Sequence, residues 1–413
     1  MASARPGSAI CSNILTRPSN KTLQRGAFGR RDHVGHMEDA RCLLLLLRSG
    51  AAAAVLRALL EGLGSAEAAL AAGPSAWREH GLTADCLARV KAPDLARIDA
   101  DLRWLAQPGH HLLGWHSPDY PCLLRAIASP PAALFVLGDP DLLWHPQVAV
   151  VGSRRPSAGG RENARQFARD FGRAGFVVTS GLAEGIDTAA HLGAMECSRT
   201  VAVLGTGPDT CYPSANAALM QRIAATGAVV TEHPPGTPGL RQHFPSRNRL
   251  IAGLSLGTVV IEAAERSGAL ITARVAGDAG REVFALPGSI HNPTARGCHR
   301  LIRQGAGLAE TPGEIIEALA PLADTLATAL RARLVGSDRA SGVAAASLGS
   351  QGSMPVGSAE EQLVLHAVGH DPVNLDQLCE RTGLTVGPLS AMLVSMELDG
   401  SISAEHGRYS RRT

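Results

Sequence analysis

Six apolar runs between Val148 and Leu286 each end in a corner rich in glycine, serine or proline, and a helix-forming segment usually follows. Strands that alternate with helices in this way pair in parallel with right-handed crossovers, so that all the corners lie at the carboxyl edge of one sheet. That edge collects helix N-termini, whose free amides and partial positive charge attract phosphate. The pattern therefore predicts a doubly wound α/β fold that holds a phosphorylated ligand.

Several of these runs are uninterrupted, which is typical of strands that are covered on both faces of a sheet. The predicted strands are Val148–Val151, Phe176–Thr179, Thr200–Leu204, Ala228–Glu232, Gly257–Ile261 and Glu282–Leu286. The helices after them are predicted to begin near Ala158, Ile186, Ser214, Arg247, Ala269 and Gly297. Short apolar stretches broken by prolines between His110 and Asp141 indicate edge strands or extended connections.

The segments on either side predict further domains. Residues 38–105 are rich in leucine and alanine with breaks at glycine, which indicates a small helical domain. The α/β domain is assigned to residues 106–322, and a flexible linker rich in small residues is expected over 323–357. Residues 358–413 predict a winged helix, because three helical segments precede a short hairpin.

The winged-helix segment leaves two interpretations open. Its third helix, Thr385–Asp399, is the element that would enter the major groove of duplex DNA. That helix carries Glu397 and Asp399 but no arginine or lysine, which are the usual partners of phosphate. A structural role or a contact with another protein is therefore favoured over groove binding.

Composition narrows the class of protein. With 413 residues the chain has room for two or three domains, and its aromatic content of 3% limits mechanisms that need several stacked bases. The 8 cysteines are scattered without a C-x-x-C pair, which argues against a disulfide scaffold or a zinc site. Leu43–Leu47 is too short to span a bilayer, so a cytoplasmic protein is expected. Residues 1–37 are expected to be a disordered extension, or to precede a true start at Met37.

Two corners carry side chains that suit phosphate. The corner Gly152–Arg154 supplies a turn, a hydroxyl and a guanidinium at one helix start. Arg247 and Arg249 flank Asn248 at another, and such arginines are costly to bury unless they meet anions. Phosphate binding is favoured there over a solvated helix start, and Glu262 is expected to pair with one of these arginines. Neither a complete G-x-G-x-x-G nor a G-x-x-x-x-G-K-[ST] sequence occurs, which disfavours a dinucleotide site and a P-loop.

Asp187 and His191 lie four residues apart on the helix after the second strand. A metal site or an acid–base pair would need a third group, and the spacing places none. A carboxylate that interacts with the helix dipole, next to a packed histidine, is therefore the favoured interpretation.

Further motifs follow one another in the middle of the chain. They are Ser180–His191, Gly205–Asp209, Tyr212-Pro213 with Asn216, Phe244–Gly253, Ser267–Ala273, Gly280–Gly288 and Gly297–Ile302. This combination resembles the DNA-processing protein A (DprA/Smf) family over about residues 105–311. The helical front and the winged-helix tail also resemble the flanking domains of many members.

The resemblance implies an extended Rossmann-like domain between a helical domain of the SAM or helix-hairpin-helix type and a winged helix. Members dimerise, bind single-stranded DNA and help to load the RecA recombinase during natural transformation. No catalytic residue, cofactor, metal or membrane insertion is therefore expected. Carried over by motif, the DNA-binding residues would be Gly152, Ser153, Arg154, Ser180, Gly181, Arg199, Arg247, Asn248, Arg249 and Gly268. The dimer is expected to form through the apolar face around Leu301 and Ile302.

A second hypothesis comes from a different class. Gly257-Thr258 followed by Glu262 is similar to the G-T-x-x-E signature of Rossmann-like nucleotide phosphoribohydrolases, although the carboxylate falls one residue later. Release of base from nucleoside monophosphates would distinguish such an enzyme from a binding protein. A transcription regulator that uses the winged helix is a third hypothesis, which the acidic charge of that domain disfavours.

Overall fold

The computed structural model describes residues 30–341, 364, 368, 373–382, 384, 389, 393, 396, 402–405 and 408–411. The chain divides into two compact units between residues 343 and 344, and each is described by itself. Most of the predicted extension 1–37 lies outside the described residues, as does the later part of the predicted linker. Residues 30–37 belong to a helix, so the prediction of disorder was wrong there, because an established helix propagates easily into neighbouring residues.

Six helices form the beginning of the first unit, in the segment where a helical domain was predicted. They are α1 (Arg30–Arg48), α2 (Ala53–Leu63), α3 (Ala66–Ala71), α4 (Gly73–Glu79), α5 (Ala84–Lys91) and α6 (Leu95–Leu105). Ser65, Thr83 and Asp94 each accept an amide from the first turn of the helix that follows, which fixes where α3, α5 and α6 start. Leucines of α1 and α2 pack with Trp77 in one buried core.

A nine-stranded sheet follows. Its strands are β1 (His110–Gly114), β2 (Ala133–Gly138), β3 (Gln147–Gly152), β4 (Val177–Ser180), β5 (Thr200–Val203), β6 (Ala228–Thr231), β7 (Gly257–Ile261), β8 (Glu282–Ala285) and β9 (Gly307–Leu308). The order is β1-β2-β6-β5-β4-β3-β7-β8-β9, and β3 to β9 pair in parallel, whereas β2 pairs antiparallel with β1 and β6. The predicted doubly wound sheet is confirmed, and the stretch from His110 does supply an edge strand.

Helices cover both faces of the sheet. They are α7 (Cys122–Arg125), α8 (Ala158–Arg173), α9 (Ile186–Ala194), α10 (Ala217–Thr226), α11 (His243–Leu254), α12 (Gly268–Asp278), α13 (Arg296–Arg303) and α14 (Pro312–Ser341). Val148 and Val150 of β3 are buried in the core that contains α8. Ala149 and Val151 are buried in the opposite core with α11 and α12, which explains the uninterrupted apolar run of this strand.

The strand order reverses between β3 and β7. Gly152 at the end of β3 lies opposite Ile261 at the end of β7, and the two are parallel neighbours. The helix after β3 packs on one face of the sheet and the helix after β7 on the other. A crevice therefore opens at the carboxyl ends of these two strands, which is where open α/β sheets bind ligands.

The first unit ends in the long helix α14, which continues to Ser341. The predicted linker over 323–357 was therefore wrong for residues 323–341. Alanine, leucine and arginine are frequent in this segment, and their high helix propensity outweighs the small residues nearby. Neither α14 nor any other helix in the described ranges combines the length and apolarity that crossing a bilayer needs.

The second unit contains an antiparallel sheet in the order β10 (Val373–Asn374), β12 (Arg408–Arg411), β11 (Ile402–Glu405), with α15 (Leu375–Thr382) after β10. The β11–β12 pair is the hairpin that the sequence predicts around Gly407. The buried core of this unit includes Leu378, Leu389, Leu393, Met396 and Ile402. Most of the helix predicted over Thr385–Asp399 lies outside the described residues.

Candidate functional site

A cleft of about 560 Å³ lies at the crevice between β3 and β7, and we call it the switch-point cleft. Its walls are the corner Gly152–Arg155, the start of α11 from Phe244 to Asn248, and the segment from Ala264 to Thr272 that leads into α12. Six of the residues carried over by motif line it: Gly152, Ser153, Arg154, Arg247, Asn248 and Gly268.

Three exposed arginines surround this cleft: Arg154, Arg155 and Arg266. Within the described part of the chain, none of the ion pairs involves any of them. Ser153 Oγ accepts the amide of Arg155 at 3.1 Å, which stabilises the turn that carries the first two. The motif comparison missed Arg155 and Arg266, although both lie in corners that the strand pattern had already placed at this edge.

Two helix N-termini point their partial positive charge at the cleft. Neither α11 nor α12 has an acidic residue in its first turn. Ser267 Oγ caps α12 by accepting the Ala269 amide at 3.2 Å, and the space beside Gly268 is open. Asn248 Nδ2 donates to the Gly268 carbonyl at 3.4 Å and so links the two helices. The cleft therefore combines free guanidinium groups with two helix ends that favour an anion.

Arg247 lies below the cleft and is only 5% exposed. Its Nη1 donates to the carbonyls of Gly181 and Val203, both at 2.5 Å, and so ties α11 to the ends of β4 and β5. Burial lowers the pKa of the Arg247 guanidinium to about 10, opposed by the charge of Asp187, so it stays protonated at neutral pH. A Cβ at Gly181 would collide with this guanidinium, so a larger residue there would displace Arg247 from these carbonyls. Arg247 therefore holds the elements of the site together and is hardly accessible to a ligand in solution.

Asp187 and His191 belong to the same buried layer. Asp187 Oδ2 accepts the amides of Gly181 at 3.1 Å and Ala183 at 3.3 Å, and burial raises the pKa of this carboxyl, opposed by the charge of Arg247. His191 Nδ1 lies 2.8 Å from Thr200 Oγ1, whose own hydroxyl donates to a carbonyl, so Nδ1 must carry the proton.

The pKa of His191 falls to about 3 because the ring is buried and close to a guanidinium. The predicted carboxylate at the helix start and the packed histidine are therefore confirmed. Across the described ranges, no group of three or more His, Cys, Asp or Glu side chains is placed to hold a metal.

Arg249 does not reach the cleft. Its Nη2 lies 2.5 Å from Glu232 Oε2, and both side chains are largely buried. Arg249 was carried over as a DNA-binding residue, but its guanidinium is paired with Glu232 and does not line the cleft. Residues two apart on a helix point about 200° away from each other, so the guanidinium groups of Arg247 and Arg249 leave α11 on opposite sides.

Glu262 was predicted to pair with one of those arginines, and this was wrong. The carboxylate turns instead to the start of α8, where its Oε2 accepts the Ser157 amide at 2.8 Å and its Oε1 accepts the Ser157 hydroxyl. Asn292 Nδ2 donates to Oε1 at 3.4 Å. The backbone at Glu262 has a φ of 52°, in the left-handed region.

Two more predicted residues lie elsewhere. Arg199 precedes β5, so it lies at the amino edge of the sheet, opposite the cleft, and it pairs with Asp139 at 2.7 Å. Its assignment to the basic pocket was wrong for that reason. Ser180 is close to the cleft but fully buried, and its Oγ donates to the Val150 carbonyl at 2.7 Å, so it joins strands β3 and β4.

An aromatic side chain that sequence reasoning did not assign to the site lies beside the cleft. A second hollow, of about 100 Å³, is lined by Arg154, Glu184, Phe244 and Tyr212. The Tyr212 ring is 52% exposed and is supported from behind by Phe244, with 5.0 Å between the ring centroids. In a chain with few aromatics, an exposed tyrosine next to a free arginine is a feature that packing alone does not require.

The two residues of the predicted dimer face, Leu301 and Ile302, differ in their exposure. Leu301 is 8% exposed and packs in the chain's own core, so it offers little surface to a second chain. Helix α13 turns this residue inward, whereas Ile302 is only partly buried. Leu308 on the edge strand β9 is 50% exposed.

Comparison with known proteins agrees with this architecture. A family model described as DNA recombination-mediator protein A matches residues 111–320, and a DprA winged helix domain matches residues 350–408. Protein Smf of Escherichia coli (strain K12) is 39% identical over 336 residues, which cover 81% of this chain and 86% of that relative. DNA processing protein DprA of Streptococcus pneumoniae is 46% identical over 198 residues, which cover 48% of this chain and 70% of the relative.

A solved structure is similar as well. The X-ray structure of DprA from Streptococcus pneumoniae has a TM-score of 0.60 and 36% identity, and the match covers 67% of this chain and 96% of that one. The fold and the cleft define a doubly wound α/β protein with a cationic site where its strand order reverses. The chain belongs to the DNA recombination-mediator protein A (DprA/Smf) family, and its C-terminal domain is a winged helix of the DprA type. The resemblance found in the sequence is confirmed.

Proposed function

We propose that the chain is a single-stranded DNA-binding protein that acts as a recombination mediator and holds the strand's phosphates in the switch-point cleft. The observation that carries this is the group of three exposed arginines around the cleft, which lack a carboxylate partner among the described residues. Arginine matches phosphate oxygens bidentately, and a buried guanidinium below the cleft adds positive potential. Family membership supports the same function.

The shape of the site supports the preference for a single strand. A flexible strand can bend its phosphates into a concave edge, which a stiff duplex cannot follow. Tyr212 offers an exposed face on which one base can stack, next to Arg154 for the adjoining phosphate. Stacking of this kind contributes about 1–3 kcal/mol per base and does not depend on the identity of the base.

We further propose that the site is not catalytic. A phosphoribohydrolase needs a carboxylate at its substrate, but Glu262 is bonded to Ser157. Asp187 already accepts two backbone amides, and His191 has a pKa of about 3, too low for general acid–base work near neutral pH. Incubation with nucleoside monophosphates is expected to release no free base.

Other parts of the function follow from the role of the family. We propose that the chain loads RecA recombinase onto the bound strand during natural transformation and recombination, and that it acts as a cytoplasmic homodimer. RecA filament formation on an oligonucleotide, with and without the chain, measures the first of these. A chain that binds the strand but leaves the rate of RecA nucleation unchanged would contradict that part.

The DNA-binding proposal is tested by fluorescence anisotropy with labelled single-stranded and duplex oligonucleotides over a salt series. Arg154→Ala combined with Arg266→Ala is expected to weaken single-strand binding and to reduce the salt slope by about 0.7 for each phosphate that no longer meets an arginine. Arg199→Ala is the matched control, because this arginine is also exposed but lies at the opposite edge. Equal binding of duplex and single strand, or an unchanged slope in the double variant, would refute the proposal.

A further inference from the structure

The start of α8 is the position at which doubly wound proteins commonly hold an isolated phosphate, directly after the first parallel strand. Here the chain fills that position with its own carboxylate. Glu262, which follows β7, accepts both the amide and the hydroxyl of Ser157, the residue that caps α8. Ser157 and the next residue of α8 are exposed, so solvent and small solutes reach this helix end from outside.

The surroundings of the carboxylate are shaped to hold it. Ser157 Oγ accepts the Gly160 amide at 3.0 Å, so the capping hydroxyl is bonded on both sides. A Cβ at Gly160 would collide with the carboxyl group of Glu262, so the glycine leaves the space that this group needs. Asn292 approaches from the loop before α13 and donates to the same carboxylate. Two separate segments of the chain, the start of α8 and the loop before α13, therefore converge on the carboxylate of Glu262.

We propose that Glu262 is a specificity-determining residue. Its carboxylate occupies the α8 phosphate position and excludes free nucleotides, namely nucleoside monophosphates and diphosphates, by filling the site and by like-charge repulsion. Phosphates are thereby confined to the neighbouring switch-point cleft, where the helix ends of α11 and α12 carry no carboxylate. A strand with many phosphates and stacked bases binds there through several contacts at once. This inference rests on the proposed function in one respect, namely that the ligand of the switch-point cleft is a nucleic-acid strand.

The test is chemical rescue in the full chain. Glu262→Gly removes the carboxylate and accepts the positive φ without strain, and Glu262→Ala removes it while keeping a side chain. Thermal unfolding is measured with increasing acetate, inorganic phosphate or ADP at constant ionic strength set with chloride. Acetate carries the same carboxylate group as the missing side chain and can occupy its place. It should therefore raise the Tm of both variants by several degrees and leave the Tm of the wild type unchanged. Phosphate and ADP should stabilise the variants more than the wild type.

Two comparisons locate the effect. Glu262→Gln fills the same space without charge, so none of the three anions should stabilise it beyond the wild type. Saturation of the chain with a single-stranded oligonucleotide should leave the acetate effect intact, because the strand occupies the other site. Equal shifts in the wild type and the glycine and alanine variants would overturn the proposal. If those two variants are unfolded, recovery of a cooperative transition in acetate supports the proposal and no recovery overturns it.

The outcome is separable from that of the proposed function. A wild-type chain that binds no oligonucleotide refutes the proposed function, whatever acetate does to the variants. A chain that binds oligonucleotide normally but shows no acetate or phosphate rescue refutes only the role of Glu262.

Discussion

Replacing Arg247 by methionine separates support of the site from contact with the ligand. The guanidinium makes two charge-assisted hydrogen bonds to backbone carbonyls and lies beside the buried carboxyl of Asp187. Each such bond contributes about 1.5–3 kcal/mol, and loss of one partner of a buried charge pair costs about 3–5 kcal/mol. Because these contributions overlap, we expect the free energy of unfolding to fall by about 3–5 kcal/mol in total.

Urea denaturation measures the free energy of unfolding. Fluorescence anisotropy without urea, where the variant is still folded, then measures oligonucleotide binding. The salt slope for oligonucleotide binding should stay that of the wild type, since every arginine that meets a phosphate is still present. Without this cation, the pKa of Asp187 should rise above its wild-type value, because burial raises it and the opposing charge of Arg247 is gone. The folded state then binds a proton that the unfolded state releases, so the variant should gain stability as the pH falls from neutral.

Arg154→Met is the matched control, because Arg154 is exposed and lines the same cleft. It should change the unfolding free energy by no more than about 0.5 kcal/mol and yet reduce the salt slope. The reasoning is refuted if Arg247→Met leaves stability intact and lowers the slope by about 0.7, since Arg247 would then be a direct phosphate ligand.

Three further outcomes are expected. Tyr212→Ala should weaken single-strand binding by about 1–3 kcal/mol at every salt concentration, and Tyr212→Phe should keep it, as measured by anisotropy; equal losses would exclude stacking. Wild-type stability should decline as the pH falls from 6.5 toward about 3, because His191 binds a proton in the unfolded state but not in the buried, folded state. His191→Asn should flatten that decline, as measured by urea denaturation at a series of pH values. Ile302→Glu should shift a dimer toward monomer in analytical ultracentrifugation without changing the Tm of the monomer, and an unchanged sedimentation coefficient would place the interface elsewhere.

The fold was largely predictable because it depends on periodicity. Each predicted strand between Val148 and Leu286 is present, and each of its ends lies within one residue of the predicted end. Parallel pairing and the shared carboxyl edge followed from the alternation of strands and helices. The exact helix starts were harder, since α11 begins at His243 and not near Arg247. No side chain caps that end, so the local sequence carries no capping signal that would mark it.

The site was predictable as a place but not residue by residue. Motif comparison identifies which positions matter without saying whether a side chain supports the fold or meets the ligand. Arg199 could have been excluded, because a residue that precedes a parallel strand lies at the edge opposite the corners. The partners of Arg249 and Glu262 could not have been predicted from the sequence. Glu232 and Ser157 are brought to them only by the packing of separate strands and helices.

Burial also changes what an arginine contributes. Arg247 stays charged below the switch-point cleft, with a pKa of about 10, although it presents almost no surface to solvent. In that low-dielectric layer its charge reaches the cleft with little screening, and Asp187 cancels only part of it. The exposed Arg154 and Arg266 are screened by salt instead, and they provide the donors that contact phosphate. Salt should therefore weaken the outer contacts while the inner attraction persists, which leaves residual oligonucleotide binding at ionic strengths where a purely exposed cluster would release the strand.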